Sequence, residues 1–371
     1  MNEQMYQIAF SQLKGVDYGS AQKILQVSSL SAFFSCSKMD LVQIYGINPI
    51  NATKLYQQFS LAIKNAQQTY ELCIKNGILP IFFTHKNYPQ RLLECYDAPL
   101  LLYVKGNKDL NRGKFISIVG TRNATHYGKQ LCHELVGQLS HLLTDVTIVS
   151  GLAYGIDIAA HKAALEANVP TIGVLAGGLH RIYPAAHHCT ALKMIQEGAL
   201  ITEQSYYTAS EKRYFLQRNR IIAGISDAVV VVESAAKGGA LVTASIASTY
   251  NKDVFVFPGR TNDMASAGCN ALIKHHKATM IENANDLCYF MGWSKQKKRN
   301  DFDKTKHNEL IETLSKEEQI IIRCIKEVEN ISIDQLSYLT HLKVEDLMAL
   351  LLALEFQNIV VCLPGNRYQL R

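Results

Sequence analysis

The 371 residues carry 38 Lys+Arg against 32 Asp+Glu, a net charge of +6, which suits a polyanionic partner without requiring one. Nine cysteines fall without a Cys-x-x-Cys pair, so neither a disulfide framework nor a zinc ribbon is expected, and no metal site. Met1-Asn2-Glu3-Gln4 lacks the basic-then-apolar pattern of a signal peptide and no apolar run approaches a bilayer-spanning length, so a reduced, cytoplasmic protein off the membrane is expected.

Residues 1–75 alternate helical patterning with glycine turns, Leu13-Lys14-Gly15-Val16-Asp17 and Ile44-Tyr45-Gly46-Ile47, which predicts a small domain of helix-hairpin-helix type. Such turns can hold a phosphate on their N–H groups. Asp17, with no Lys or Arg in the second turn, favours a packing role instead.

From residue 76 to 293 the pattern changes to strands separated by helices. Phe115–Val119, Val146–Val149, Thr171–Leu175, Ala228–Val232 and Val254–Phe257 are continuous β-branched or aromatic runs, as strands buried on both faces should be. The amphipathic stretches between them make the arrangement βαβ, and the fold class is α/β with a Rossmann-like, mostly parallel sheet. Residues 294–314, rich in lysine, then read as an exposed basic linker.

Residues 315–371 predict a winged helix: helices over Lys316–Glu327, Ile333–Thr340 and Val344–Gln357, then a hairpin of Ile359–Cys362 and Arg367–Leu370 around Leu363-Pro364-Gly365-Asn366. The third helix carries Glu345, Asp346 and Glu355, with only Lys343 near its start. A helix that reads the major groove needs donors, so a protein-interaction or vestigial unit is expected rather than a DNA reader.

Four glycine-marked turns in the central region point to one anion-binding crevice, because loops at the carboxyl ends of parallel strands converge near the switch in strand order. The first, Gly120-Thr121-Arg122, puts an arginine where a dinucleotide fold would place its second glycine. NAD and FAD are disfavoured, and an ionic, bidentate contact to phosphate is favoured. Arg122 would alternatively pair with a carboxylate such as Glu203 or Glu233. Ser150-Gly151 marks the second turn. Arg218-Asn219-Arg220, before an apolar run, could hold consecutive phosphates and a base edge, whereas either arginine alone would more often be an ion-pair partner. In the fourth turn Gly238 and Gly239 permit close backbone approach and Thr243 offers a hydroxyl. Asp157 and His161 stand at i, i+4 spacing, but no third ligand completes a metal site, and a capping or core role is expected for both.

Taken together, Ile118–Arg122, the Ser150–Leu165 block, Tyr183-Pro184, Glu203, Arg218–Gly224, Gly239-x-Leu241-x-Thr243-Ala244, Pro258-Gly259 and Gly268-Cys269-Asn270 resemble the DprA/Smf family of DNA-processing proteins over roughly residues 80 to 290. The end regions resemble the helical and winged-helix modules of some members. The resemblance implies a protein that binds single-stranded DNA, dimerises through its Rossmann-like domain, protects incoming DNA and loads RecA recombinase in natural transformation. It implies no catalytic residues and no cofactor. It nominates Gly120, Thr121, Arg122, Ser150, Gly151, His187, His188, Arg218, Asn219, Arg220, Gly238, Gly239, Thr243 and Asn270 for DNA. After Tyr183-Pro184 this sequence has His187 and His188 where the family commonly has Asn and a basic residue. A neutral imidazole still donates a hydrogen bond but adds little charge at pH 7. His180 stands where an Asp is usual.

The alternative is a nucleotide-processing enzyme of the lysine-decarboxylase-like Rossmann class. Its Pro-Gly-Gly-x-Gly-Thr run and following glutamate are missing around Gly238-Gly239-Ala240. A third reading makes the crevice a relict and the end domains the working parts.

Overall fold

The computed structural model describes residues 2–293, 315–327, 331–356, 359–363 and 367–370. The basic linker over 294–314 and the hairpin turn over 364–366 lie outside the described residues.

The apolar runs form the middle of a nine-stranded sheet. Its strands are β1 (Leu79–Phe82), β2 (Leu101–Gly106), β3 (Lys114–Val119), β4 (Val146–Ser150), β5 (Thr171–Val174), β6 (Ala199–Thr202), β7 (Ala228–Val231), β8 (Asp253–Val256) and β9 (Thr279–Met280). They lie in the order β1-β2-β6-β5-β4-β3-β7-β8-β9. From β6 to β9 every pair is parallel, while β2 runs antiparallel to both β6 and β1. The chain therefore builds outward from β3 through β4, β5 and β6, then returns to the other side of β3 with β7. That reversal is the topological switch point, where the carboxyl ends of β3 and β7 leave a crevice between diverging connections.

The helices of this unit are, in order, α1 (Glu3–Ser11), α2 (Tyr18–Val27), α3 (Leu30–Ser35), α4 (Lys38–Gln43), α5 (Pro49–Tyr56), α6 (Phe59–Lys75), α7 (Gln90–Leu93), α8 (His126–Leu142), α9 (Ile156–Glu166), α10 (His188–Glu197), α11 (Lys212–Gly224), α12 (Gly239–Thr249), α13 (Ala267–Lys274) and α14 (Ala284–Phe290). They cover both faces. Cys132, Leu135 and Ile156 pack with Ile116, Ile118 and Val230 on one face. On the other, Ile221, Ile222 and Ala244 join Val119, Val149 and Val229. The N-terminal helices share this second core, through contacts such as Phe10 on Phe82 and Tyr18 on Phe83, so residues 1–75 and the sheet form one unit, Met1–Trp293. At the glycine turn before α2, Asp17 caps the helix by accepting from Ser20 N at 2.8 Å, and Lys14 N donates to Gln58 Oε1. These are the packing roles expected of it.

The second unit has α15 (Lys316–Glu327), β10 (Ile331–Ser332), α16 (Ile333–Thr340), α17 (Val344–Phe356), β11 (Val360–Leu363) and β12 (Arg367–Leu370). The strands pair antiparallel in the order β10-β12-β11, and Leu347, Leu351 and Leu354 of α17 are buried in its core. Three helices and this small sheet are the winged helix expected.

Among the described residues no helix is long and apolar enough to cross a membrane. The base of the switch point is held by Asp227, which accepts from Arg91 Nε at 2.6 Å and Nη2 at 3.0 Å and from Phe115 N at 2.8 Å. Asp227→Ala would leave a half-buried guanidinium and a strand N–H without their acceptor. It is expected to lower unfolding free energy by about 1–3 kcal/mol, read from urea denaturation; an unchanged midpoint would contradict this role.

Candidate nucleic-acid interface

The crevice at the switch point has a volume of about 270 Å³ and is lined by residues from the ends of β3, β4 and β7 and from α11 and α12. Gly120 follows β3, and glycine stands there because a side chain would collide with Ile156 of α9. The loop beyond it is pinned on two sides: Thr121 N donates to Glu233 O at 2.7 Å and Ile156 N to Thr121 O at 3.2 Å. Arg122 emerges from this fixed loop into solvent. Its guanidinium lies 5.2 Å from the centroid of Phe215, and none of the ion pairs among the described residues includes it. Both carboxylates that could have paired with it are committed elsewhere. Glu233 accepts from Thr125 N and Oγ1 at 2.8 and 2.6 Å, and Glu203 pairs with Arg220.

Arg218 differs from Arg122. It is 4% exposed, and its Nη1 donates to Gly151 O and Val174 O, both at 2.5 Å, bridging the ends of β4 and β5. A side chain at position 151 would collide with that guanidinium, which is why glycine stands there. Burial lowers the Arg218 pKa to about 10 while neighbouring Asp157 opposes the shift, so the cation persists at neutral pH beneath the crevice floor. Its Nε has no partner. Asp157 also lines the crevice; burial raises its carboxyl and Arg218 pulls it back down.

The remaining residues expected at the site divide clearly. Asn219 Nδ2 donates to Gly239 O at 3.4 Å, joining α11 to the first turn of α12. Gly238 caps that helix without a side-chain hydrogen bond, leaving first-turn N–H groups at the crevice mouth beside exposed Lys237, an anion-favouring arrangement. Thr243 lines the crevice but its hydroxyl donates back to Gly239 O.

Arg220 is not brought to the crevice. Residues i and i+2 of a helix point to different sides, so it donates to Asp97 O at 2.6 Å and pairs with Glu203. Ser150 is fully buried with its hydroxyl on Ile118 O at 2.6 Å. His187 is buried against Leu152 O, and His188 is exposed at the start of α10 outside the crevice lining. Asn270 holds the loop after β8, exchanging hydrogen bonds with Gly259 N and O at 3.1 and 3.0 Å. Each of these was expected at DNA on its sequence block, and each has a structural partner or a position elsewhere.

Sequence reasoning missed Phe215. It stands three residues before Arg218, the spacing that shares a helix face, and its ring lies 5.8 Å from that guanidinium. Half-exposed Tyr183 meets it edge-on at 5.7 Å. A cation, an aromatic face and an uncapped helix start therefore share one mouth. Among the described residues no group of His, Cys, Asp or Glu could hold a metal ion.

Residues 80–292 match the family described as DNA recombination-mediator protein A, and residues 306–366 match the DprA winged helix domain. The chain belongs to the DprA/Smf family. The DNA processing protein DprA of Bacillus subtilis is 40% identical over 214 residues, 57% of this chain and 71% of that relative. The structure of DprA from Streptococcus pneumoniae superposes with a TM-score of 0.64 at 30% identity, covering 78% of this chain and 97% of the other. A DprA from Helicobacter pylori, described for its unique single-stranded DNA binding mode, gives 0.52 at 31% identity over 58% of this chain and 95% of that one. The two matches account for the conjunction of the sheet domain and a winged helix in one chain.

His161, behind the crevice, donates or accepts through Nδ1 with Thr171 Oγ1 at 2.7 Å, and burial with the Arg218 charge lowers its pKa to about 3 from an ordinary 6.5. The unfolded chain takes up this proton below about pH 6.5 and the folded chain does not until about pH 3. Stability contributed by the neutral imidazole is thus present above pH 6.5 and lost as pH falls through that window. His161→Gln should flatten the dependence of unfolding free energy on pH by up to about 1.4 kcal/mol per pH unit there. Parallel profiles for the two chains would contradict the assignment.

Proposed function

We propose that the chain captures single-stranded DNA by its phosphates in the switch-point crevice, as a binding protein rather than an enzyme. The observation that carries this reading is Arg122: exposed, without a carboxylate, over Phe215, and opposite the uncapped start of α12. The proposed contact set is Arg122, Lys237 and the N–H groups at Gly238 and Gly239 for phosphate, with Phe215 and Tyr183 stacking on bases. Gly120, Thr121, Gly151, Arg218 and Asn219 position them. Contacts directed at phosphate and at ring faces give little sequence preference. The single-stranded DNA binding described for the Helicobacter relative supports the ligand.

Family membership supports the proposed role, in which bound DNA is protected and presented, by a homodimer, to RecA recombinase during natural transformation or recombination, in the cytoplasm. The winged helix is assigned to a protein partner. Its α17 presents Glu345 and Asp346 together with exposed Met348, Leu352 and Phe356, a surface that repels phosphate.

Arg122→Ala should reduce affinity for a fluorescent oligothymidylate tenfold to a hundredfold, the effect of losing a charge-assisted contact of about 1.5–3 kcal/mol, with the melting temperature unchanged. Arg220→Ala should do the opposite and lower stability first, since it strands Glu203 in a buried site. Retained affinity in a folded Arg122→Ala chain would remove the crevice from the account. Removal of residues 315–371 should leave affinity within a few-fold; a large loss would assign DNA to the winged helix.

A further inference from the structure

A second cavity, of about 600 Å³, opens where α6 faces the loop that follows β6. Asn65, Gln68 and Thr69 line it from the helix, and Ser205, Tyr207 and Thr208 from the loop. Of its lining residues only Glu71 and Lys75 are charged, with opposite signs, so the cleft offers amides and hydroxyls rather than a net charge. Behind this lining the Tyr103 hydroxyl is buried. The nearby polar side chains are Gln12 and Ser205, both of which line the cavity.

The loop is a firm wall. Gly178 N donates to Thr208 O at 2.8 Å, His180 Nδ1 meets Tyr206 O at 2.6 Å, and a side chain at position 178 would collide with the Tyr206 carbonyl. Tyr207 stands out from it, 67% exposed, with its ring 4.9 Å from that of Tyr206 and 5.6 Å from that of His180. The same loop runs directly into α11, which carries Phe215 and Arg218 in the crevice. Cleft and crevice therefore lie on the same side of the sheet, at the carboxyl ends of parallel strands, with β5 between β6 and β4.

We propose that this cleft is a nucleobase-binding site, filled by a base of the strand whose phosphates the crevice holds, so that the N-terminal helices take part in DNA binding. Side-chain amides both donate and accept, which suits the mixed edge of a base, and an exposed tyrosine ring takes its face. Phosphate is disfavoured because the lining carries one cation and one anion, Lys75 and Glu71, and so no net positive charge. The inference rests on the proposed function, since the crevice must first hold the strand.

The test compares fluorescent oligothymidylates of about 4 and about 16 nucleotides, the range of single-strand site sizes, on the full chain and on Tyr207→Ala, Gln68→Ala and Arg122→Ala. Tyr207→Ala should weaken the long ligand by roughly fivefold to a hundredfold and leave the short one unchanged. Gln68→Ala should shift in the same direction by less, and the salt dependence should stay as in the parent, because base contacts release no counterions. If Tyr207→Ala and Gln68→Ala bind both lengths like the parent while Arg122→Ala loses both, the cleft is overturned and the crevice stands. Equal losses on both lengths in Tyr207→Ala would place that ring in the crevice and also overturn a separate site. Failure of the parent chain to bind either ligand overturns the crevice reading and this one with it.

Discussion

A guanidinium buried under the strand ends organises the middle of this protein. Arg218 sits on the carbonyls of Gly151 and Val174, with Asp157 close enough to sustain its charge but no carboxylate within ion-pair distance among the described residues. Burying a cation without a close counter-ion is expensive, and two carbonyls offset only part of that cost. The fold accepts it at the one place where parallel strands diverge. Glycine at 151 makes room for the side chain, and the charge fixes the ends of β4 and β5 relative to α11.

That arrangement leaves a positive floor under a polar mouth. Arg122 is paired with neither Glu203 nor Glu233, each of which has other partners, and its guanidinium lies over Phe215. The α12 start adds unpaired N–H groups from the opposite wall. On the proposed function these groups need no rearrangement to accept a phosphate, which limits the entropic cost of binding. The ring of Phe215, shared between two guanidinium groups, gives a base somewhere to stack.

The fold was legible because its strands are apolar on both faces: the runs at 115–119, 146–149 and 228–231 could be nothing but central strands. The edge strands β1 and β9 were harder. Leu79–Phe82 contains Pro80, and Thr279–Met280 is too short to show a period. At the site, glycine turns located the crevice, but residue type alone could not tell contact from scaffold. Arg218, Asn219 and Arg220 form one sequence block, and helical geometry sends them to a buried bridge, an inter-helix tie and an ion pair. Ser150 and Asn270 look like ligand donors in sequence and spend their hydrogen bonds on backbone. Phe215 is legible in principle, since i−3 from Arg218 shares its helix face.

The most direct measurement is the salt dependence of binding to a short oligothymidylate that fills a single crevice. Each neutralised phosphate on a single strand contributes about −0.7 to the slope of log affinity against log salt. With Arg122 and Lys237 as the exposed cations, the parent chain should give a slope of about −1.4, and Arg122→Ala one shallower by about 0.7. A flat response in the parent, or equal slopes in both, would contradict phosphate capture at this crevice.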